Sequence, residues 1–258
     1  MLLIKNANVV NRPAPVDILI DDQGKYAKIE PNLNVTDTSV EVIDAKGMLT
    51  APTFVNTHMH FDKSYTSLGG REDSTETLED SISIMHDRIR AYTVEDVKAR
   101  AVRAIRECVA FGTTKLRTNI DISNLDPDLV ALKGVIAAKE ETKDLCDLQL
   151  IAFPQEGIYR NEGTAELMKE AMDMGCDVVG GMPAAEWLDD HKLQHVDFVF
   201  DLAEQYDALI DMHIDQSKDA FDRSLEYTAW LALQKGWGPR VTGGSLHIDY
   251  VSESITCH

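Results

Sequence analysis

The chain has 258 residues, 44% of them apolar and 27% charged, and carries a formal net charge of −19. So acidic a surface repels a phosphate backbone, which argues against nucleic acid as a partner. No apolar run approaches the roughly 18 residues of a transmembrane helix, and "MLLIKNANVV" lacks the unbroken apolar core of a signal peptide, so a cytoplasmic protein away from membranes is expected.

The length suits one large domain with room for a small one. Cys108, Cys146, Cys176 and Cys257 are scattered with no C-x-x-C pair. They read as small apolar residues rather than a disulfide framework or a zinc ribbon.

Residues 1–52 read as a small β-sheet module. "LLIKNANVV", "VDILIDDQGKYAKIEP" and "VEVIDAKGMLT" are strand-like and broken by turn residues at Arg12-Pro13, Asp22-Gln23-Gly24 and Lys46-Gly47. After Pro52 the pattern changes. "TFVNTHMHF" predicts a strand, and a short helix is expected within 70–92. "VEDVKARAVRAIRECVAFG" predicts an amphipathic helix with Val97, Ala101, Ala104, Ile105, Cys108 and Val109 on one face and Gly112 at its end. "TTKLRTNID" is the next strand. "DPDLVALKGVIAAKEETK" is a helix with Pro127 in its first turn.

The alternation continues: strand "LQLIAFPQEG", helix "GTAELMKEAMDMG", strand "CDVVGGMP", helix "VDFVFDLAEQYD", strand "ALIDMHID", helix "FDRSLEYTAWLALQKG" and a final strand beginning "RVTGGS". Strands alternating with helices specify βα units and a parallel sheet, an α/β fold. About six such units are expected in residues 53–258. A closed (β/α)₈ barrel takes roughly 250 residues by itself, so a TIM-type barrel would be incomplete here.

The stretch "VNTHMHFDKS" carries the chemistry. In a strand, residues i and i+2 point to one face, so His58 and His60 present two imidazoles together. They fall at the C-terminal end of a strand, where barrel enzymes keep their sites. His213 in "IDMHIDQ" also falls near a strand's C-terminal end, and strand ends converge at the mouth of a barrel. Three imidazoles suit one divalent metal ion, zinc or iron. The competing reading is ordinary strand histidines. Lys63 could reach the same mouth or be solvated. His86, His191 and His195 read as surface residues; the last two are spaced i, i+4 but lack the Glu of H-E-x-x-H.

On "APTFVNTHMHFDKS", "TKLRTNID", "LIAFPQEGI", "GCDVVGGMP", "LIDMHID" and "GWGPRVT", in that order, the chain resembles the amidohydrolase superfamily and its cytosine deaminase branch. The resemblance implies a (β/α)₈ barrel and a small β-domain built from both ends of the chain. It implies metal ligands at His58, His60 and His213, substrate contact by Gln155, and a small nitrogen heterocycle as substrate. The fourth strand has no Lys to carboxylate, so one metal ion is expected. The reaction implied is hydrolysis of a C–N bond by a water whose pKa the metal lowers from about 15.7 to about 7. The "DKS" and "MGCD-VGG" wording is shared with N-alkyl triazine aminohydrolases, an alternative substrate class. The other zinc deaminases are excluded, because neither H-x-E nor P-C-x-x-C occurs.

Three departures stand out. Gln216 occupies the position of the branch's proton-shuttle Glu, which leaves Asp215 and Asp219 as nearby acids. Asn119 stands where the second-strand pattern carries His. Ser245 stands where the sixth-strand His is expected, with His247 two residues on. A one-base shift near codon 245 restores a His-Cys-Thr run in register, so a truncated or frameshifted chain is expected, with a natural short paralogue as the competing reading. Such a chain would present unpaired sheet edges, favouring a homo-oligomer and low activity. A non-catalytic binding fragment is the reading from another class.

Overall fold

The computed structural model describes residues 1–66, 78–215 and 222–244. The chain divides into two compact units, Met1–Thr53 and Phe54–His258.

In the first unit, β1 (Leu2–Ala7), β2 (Val16–Ile20), β3 (Tyr26–Glu30) and β4 (Glu41–Asp44) form one sheet in the order β3-β2-β1-β4. β1 pairs antiparallel with β2 and parallel with β4. Ala7, Val16, Ile18 and Ala45 make its small core.

In the second unit, six strands run parallel in the order β10-β9-β8-β7-β6-β5 and curl into a half-barrel. They are β5 (Phe54–Met59), β6 (Thr113–Asp121), β7 (Asp147–Phe153), β8 (Val178–Gly181), β9 (Leu209–His213) and β10 (Val241–Gly244). The connecting helices are α1 (Leu78–Arg90), α2 (Val94–Ala110), α3 (Val130–Thr142), α4 (Thr164–Asp173), α5 (Asp189–Tyr206) and α6 (Ser224–Lys235).

Strand alternation sorts the sheet into two faces. Leu116, Ile120, Leu148, Leu150, Val179 and Ile210 turn outward into the main core against the helices. Inside the curl, Ile151, Phe153 and Val178 make a smaller apolar cluster. Below it Arg117 donates to Gln149 Oε1 at 3.0 Å and to Asp211 Oδ2 at 2.8 Å. Gly180 lets β7 and β8 approach: a Cβ there would stand 2.6 Å from the Ala152 carbonyl oxygen.

α2 follows its pattern. Thr93 caps it by accepting from the Asp96 N–H at 3.2 Å, and Val97, Ala101, Ala104 and Ile105 are buried. α3 departs from expectation, because Pro127 lies before the helix and not in its first turn. The chain turns at Leu129, with φ of 51°, and Asp126 caps from outside by accepting from the Val130 and Ala131 N–H groups at 2.9 and 2.8 Å. α5 begins earlier than expected and takes in His191 and His195.

Candidate active site

Two parallel strands deliver the histidines. His58 is the next-to-last residue of β5, His60 follows that strand directly, and His213 ends β9. The ring centroids lie 5.3 Å apart for His58–His60, 4.7 Å for His58–His213 and 5.6 Å for His60–His213. One ligand nitrogen from each falls within 4.8 Å of the others. Phe153 packs beneath, its ring 4.3 Å from His213 and 5.7 Å from His60.

Burial pushes His60 down to about 3, assisted by Lys63 and the other two histidines. It pushes His213 down to about 4, assisted by His58 and Lys63. Both rings are therefore neutral near pH 7, the form that ligates metal. Their Nδ1 atoms are buried without a hydrogen-bond partner among the described residues. This donor set fits a divalent cation.

Beside the histidines lies a buried polar network. The Lys63 side chain is 13% exposed, and its Nζ donates to Asp121 Oδ2 at 2.9 Å and to Gln155 Oε1. Burial pushes the ammonium down, but Asp121 and Asp62 more than offset this and its pKa ends raised. Asp62 is fully buried; burial lifts its carboxyl to about 6, and its Oδ2 accepts the Asp121 N–H at 3.1 Å. With Oε1 held by Lys63, Gln155 is left with its amide N–H groups to present.

No family model matches the chain. An N-isopropylammelide isopropyl amidohydrolase from Pseudomonas sp. (strain ADP) is 34% identical over 248 residues, 93% of this chain and 60% of that protein. The crystal structure of 5-methylcytosine deaminase from Klebsiella pneumoniae liganded with phosphonocytosine superposes with a TM-score of 0.83 at 35% identity, over 95% of this chain and 60% of that one. That of N-isopropylammelide isopropylaminohydrolase from Burkholderia multivorans gives 0.80 at 27%, over 93% and 59%. These relatives and structural neighbours are members of the amidohydrolase superfamily. The chain spans about 60% of the length of the first two of these relatives.

The structure brings His58, His60 and His213 into one cluster and sets Gln155 beside it through Lys63. Gln216, Asp219, Ser245 and His247 lie outside the described residues. Asp215 is not in the cluster. The chain turns there with φ of 49°, and its Oδ1 accepts the Leu225 N–H at 3.1 Å, capping α6. His86 is not a solvated residue: it is half-buried, with Nε2 3.3 Å from Glu156 Oε1.

His195 is the larger correction. The sequence reading put it at the surface, yet it is completely buried. Its Nδ1 meets Glu186 Oε1 at 2.7 Å, and its Nε2 accepts the Met182 N–H at 3.0 Å. A neutral imidazole protonated on Nδ1 satisfies both. Burial lowers its pKa despite the carboxylate beside it. Burial likewise pushes Glu186 up, but hydrogen bonds from His195 and the Ile158 N–H outweigh it and hold the carboxyl below its ordinary range.

Glu186 also accepts the N–H groups of Ile158, Tyr159 and Arg160 at 2.6, 3.1 and 2.8 Å. The loop after β7, which carries Gln155, is thereby fastened to the end of β8. Gly157 belongs to this clamp: its φ is +85°, and a Cβ would stand 3.1 Å from the Glu186 carboxyl. Neither Glu186 nor Asp121 was singled out from sequence. The only signal for Asp121 was its place two residues beyond Asn119 at a strand end.

Among the described residues, no helix is long and apolar enough to cross a membrane.

Proposed function

We propose that the chain carries the metal site of a hydrolytic deaminase that cleaves a C–N bond on a small nitrogen heterocycle such as cytosine. The observation that carries this is the convergence of His58, His60 and His213, from strands more than 150 residues apart, with their nitrogens within 4.8 Å.

One divalent ion, zinc or iron, would supply Lewis acidity and lower the pKa of water toward neutrality. The three imidazoles hold it, and Phe153 keeps the floor of the site apolar. Gln155 orients the ring. With its oxygen held by Lys63, its N–H groups face a ring carbonyl or ring nitrogen. In sequence Gln216 stands where the branch carries its proton-shuttle Glu, and a carboxamide does not titrate, so it does not serve as that shuttle. The Met1–Thr53 sheet supplies the N-terminal part of a composite domain.

A second reading, release of an alkylamine from an N-alkyl triazine, is supported by the 34% identity to the Pseudomonas relative. The test is metal analysis followed by turnover of cytosine and of N-isopropylammelide by the reconstituted chain. About one metal per chain, lost in His213→Ala, with ammonia released from cytosine is the expected result. Alkylamine release alone moves the second reading ahead. Metal far below one per chain with neither substrate turned over would leave a non-catalytic protein.

A further inference from the structure

Asn119 has no exposed surface, and among the described residues neither its Oδ1 nor its Nδ2 has a hydrogen-bond partner. Its position on β6 fixes where it points. Arg117, two residues earlier, reaches Gln149 and Asp211 inside the curl of the sheet; Asp121, two residues later, meets Lys63. By the period of two, Asn119 shares that inner face. β6 and β9 run the same way in one parallel sheet. Asn119 and His213 therefore each stand one layer above the Arg117–Asp211 pair.

A carboxamide is a poor filler for such a place. Its register neighbour on β7 is Ile151, which pairs in turn with Val178, so the wall on the β7–β8 side is apolar. An unpaired buried amide destabilises the fold, whereas an apolar side chain of similar size would not. Groups of this kind persist where a ligand completes them.

We propose that Asn119 is a substrate-contacting residue of the histidine site. Its Oδ1 accepts from, and its Nδ2 donates to, a ring edge that carries an N–H beside a carbonyl or bare nitrogen. This narrows the substrate to a cyclic amide or amidine, and it rests on the deaminase reading above.

The experiment compares the parent chain with Asn119→Leu and Asn119→Asp, all reconstituted with the same metal. Asn119→Leu should keep its metal content. The melting midpoint of its metal-free form should be unchanged or higher, and kcat/KM on the preferred ring should fall on the order of 100-fold. Asn119→Asp keeps the acceptor and loses the donor at neutral pH, so its loss should be intermediate. Turnover by Asn119→Leu within about twofold of the parent overturns the inference. So does a clear fall in its metal-free midpoint, which would mean that the amide holds the fold. If the parent turns over neither ring, the deaminase reading fails and this inference falls with it.

Discussion

Lys63 shows how much one side chain can tie together. Its ammonium joins Asp121, at the end of β6, to Gln155, in the loop after β7. Removing one partner of a buried ion pair leaves the other charge uncompensated, at about 3–5 kcal/mol. Lys63→Met should therefore lower the unfolding free energy in urea by about that amount. In any active form it should also raise KM more than it lowers kcat, because Gln155 loses its holder. A variant as stable as the parent would mean that Asp121 is compensated from elsewhere. From sequence, Lys63 was open between the site mouth and solvent. Nothing within "HFDKS" says that a carboxylate 58 residues on will meet it.

At the scale of elements, the clamp through Glu186 and His195 decides where the β7 loop lies. His195→Ala opens a cavity in a packed region and removes a donor from a buried carboxylate. A loss of about 2–4 kcal/mol is expected. Hydrogen exchange should be faster at the Ile158, Tyr159 and Arg160 amides than at the strand amides of β7. Unchanged exchange at those three positions would show that Glu186 does not need the imidazole. The surface reading of His191 and His195 rested on their i, i+4 spacing in "HKLQH" without the Glu of a metal-binding H-E-x-x-H helix. The two diverge because α5 rolls its Val196, Val199 and Phe200 stripe into the core, and His195 borders that stripe. α3 teaches the same lesson: proline tolerance in a first turn predicted its start, and the capping carboxylate of Asp126 set it later.

For the whole molecule, acid and association are the informative stresses. In the metal-free chain burial holds His60 near about 3 and His213 near about 4, against 6.5 for each when unfolded. The unfolded chain thus takes up protons below pH 6.5 that the folded chain refuses, so stability falls as pH drops from about 6.5 toward 4. Asp62, raised from 3.8 to about 6, works the other way, its cost being relieved as pH falls through 6. Two histidines outweigh one carboxyl over that window. The urea midpoint of the metal-free chain should therefore drop as pH is lowered from 7 to 4.5, and added metal should raise it at pH 7. A midpoint that rises steadily on acidification would contradict this. Among the described residues, β5 and β10 each pair on one side only, and Phe54 and Val55 on β5 are 68% and 65% exposed. Unpaired apolar edges self-associate, so light scattering on the 258-residue chain should show growth of mass with concentration. A constant monomer mass would count against it.

The sequence by itself determined the alternation of strands and helices, hence a parallel α/β sheet. It also set His58 and His60 on one face of a strand, because both follow from periodicities confined to a few residues. It marked His213 through its place near a strand end, and Gln155 only through the resemblance carried by "LIAFPQEGI". Tertiary structure decided that the three imidazoles meet, that Lys63 holds Gln155, that Asn119 is sealed from solvent without a partner among the described residues and that His195 is buried. Those outcomes depend on how far the sheet curls and which helix stripe docks on it. Contacts between residues 60 and 213, or 63 and 155, arise from the packing of whole elements, and no local window of sequence contains both partners.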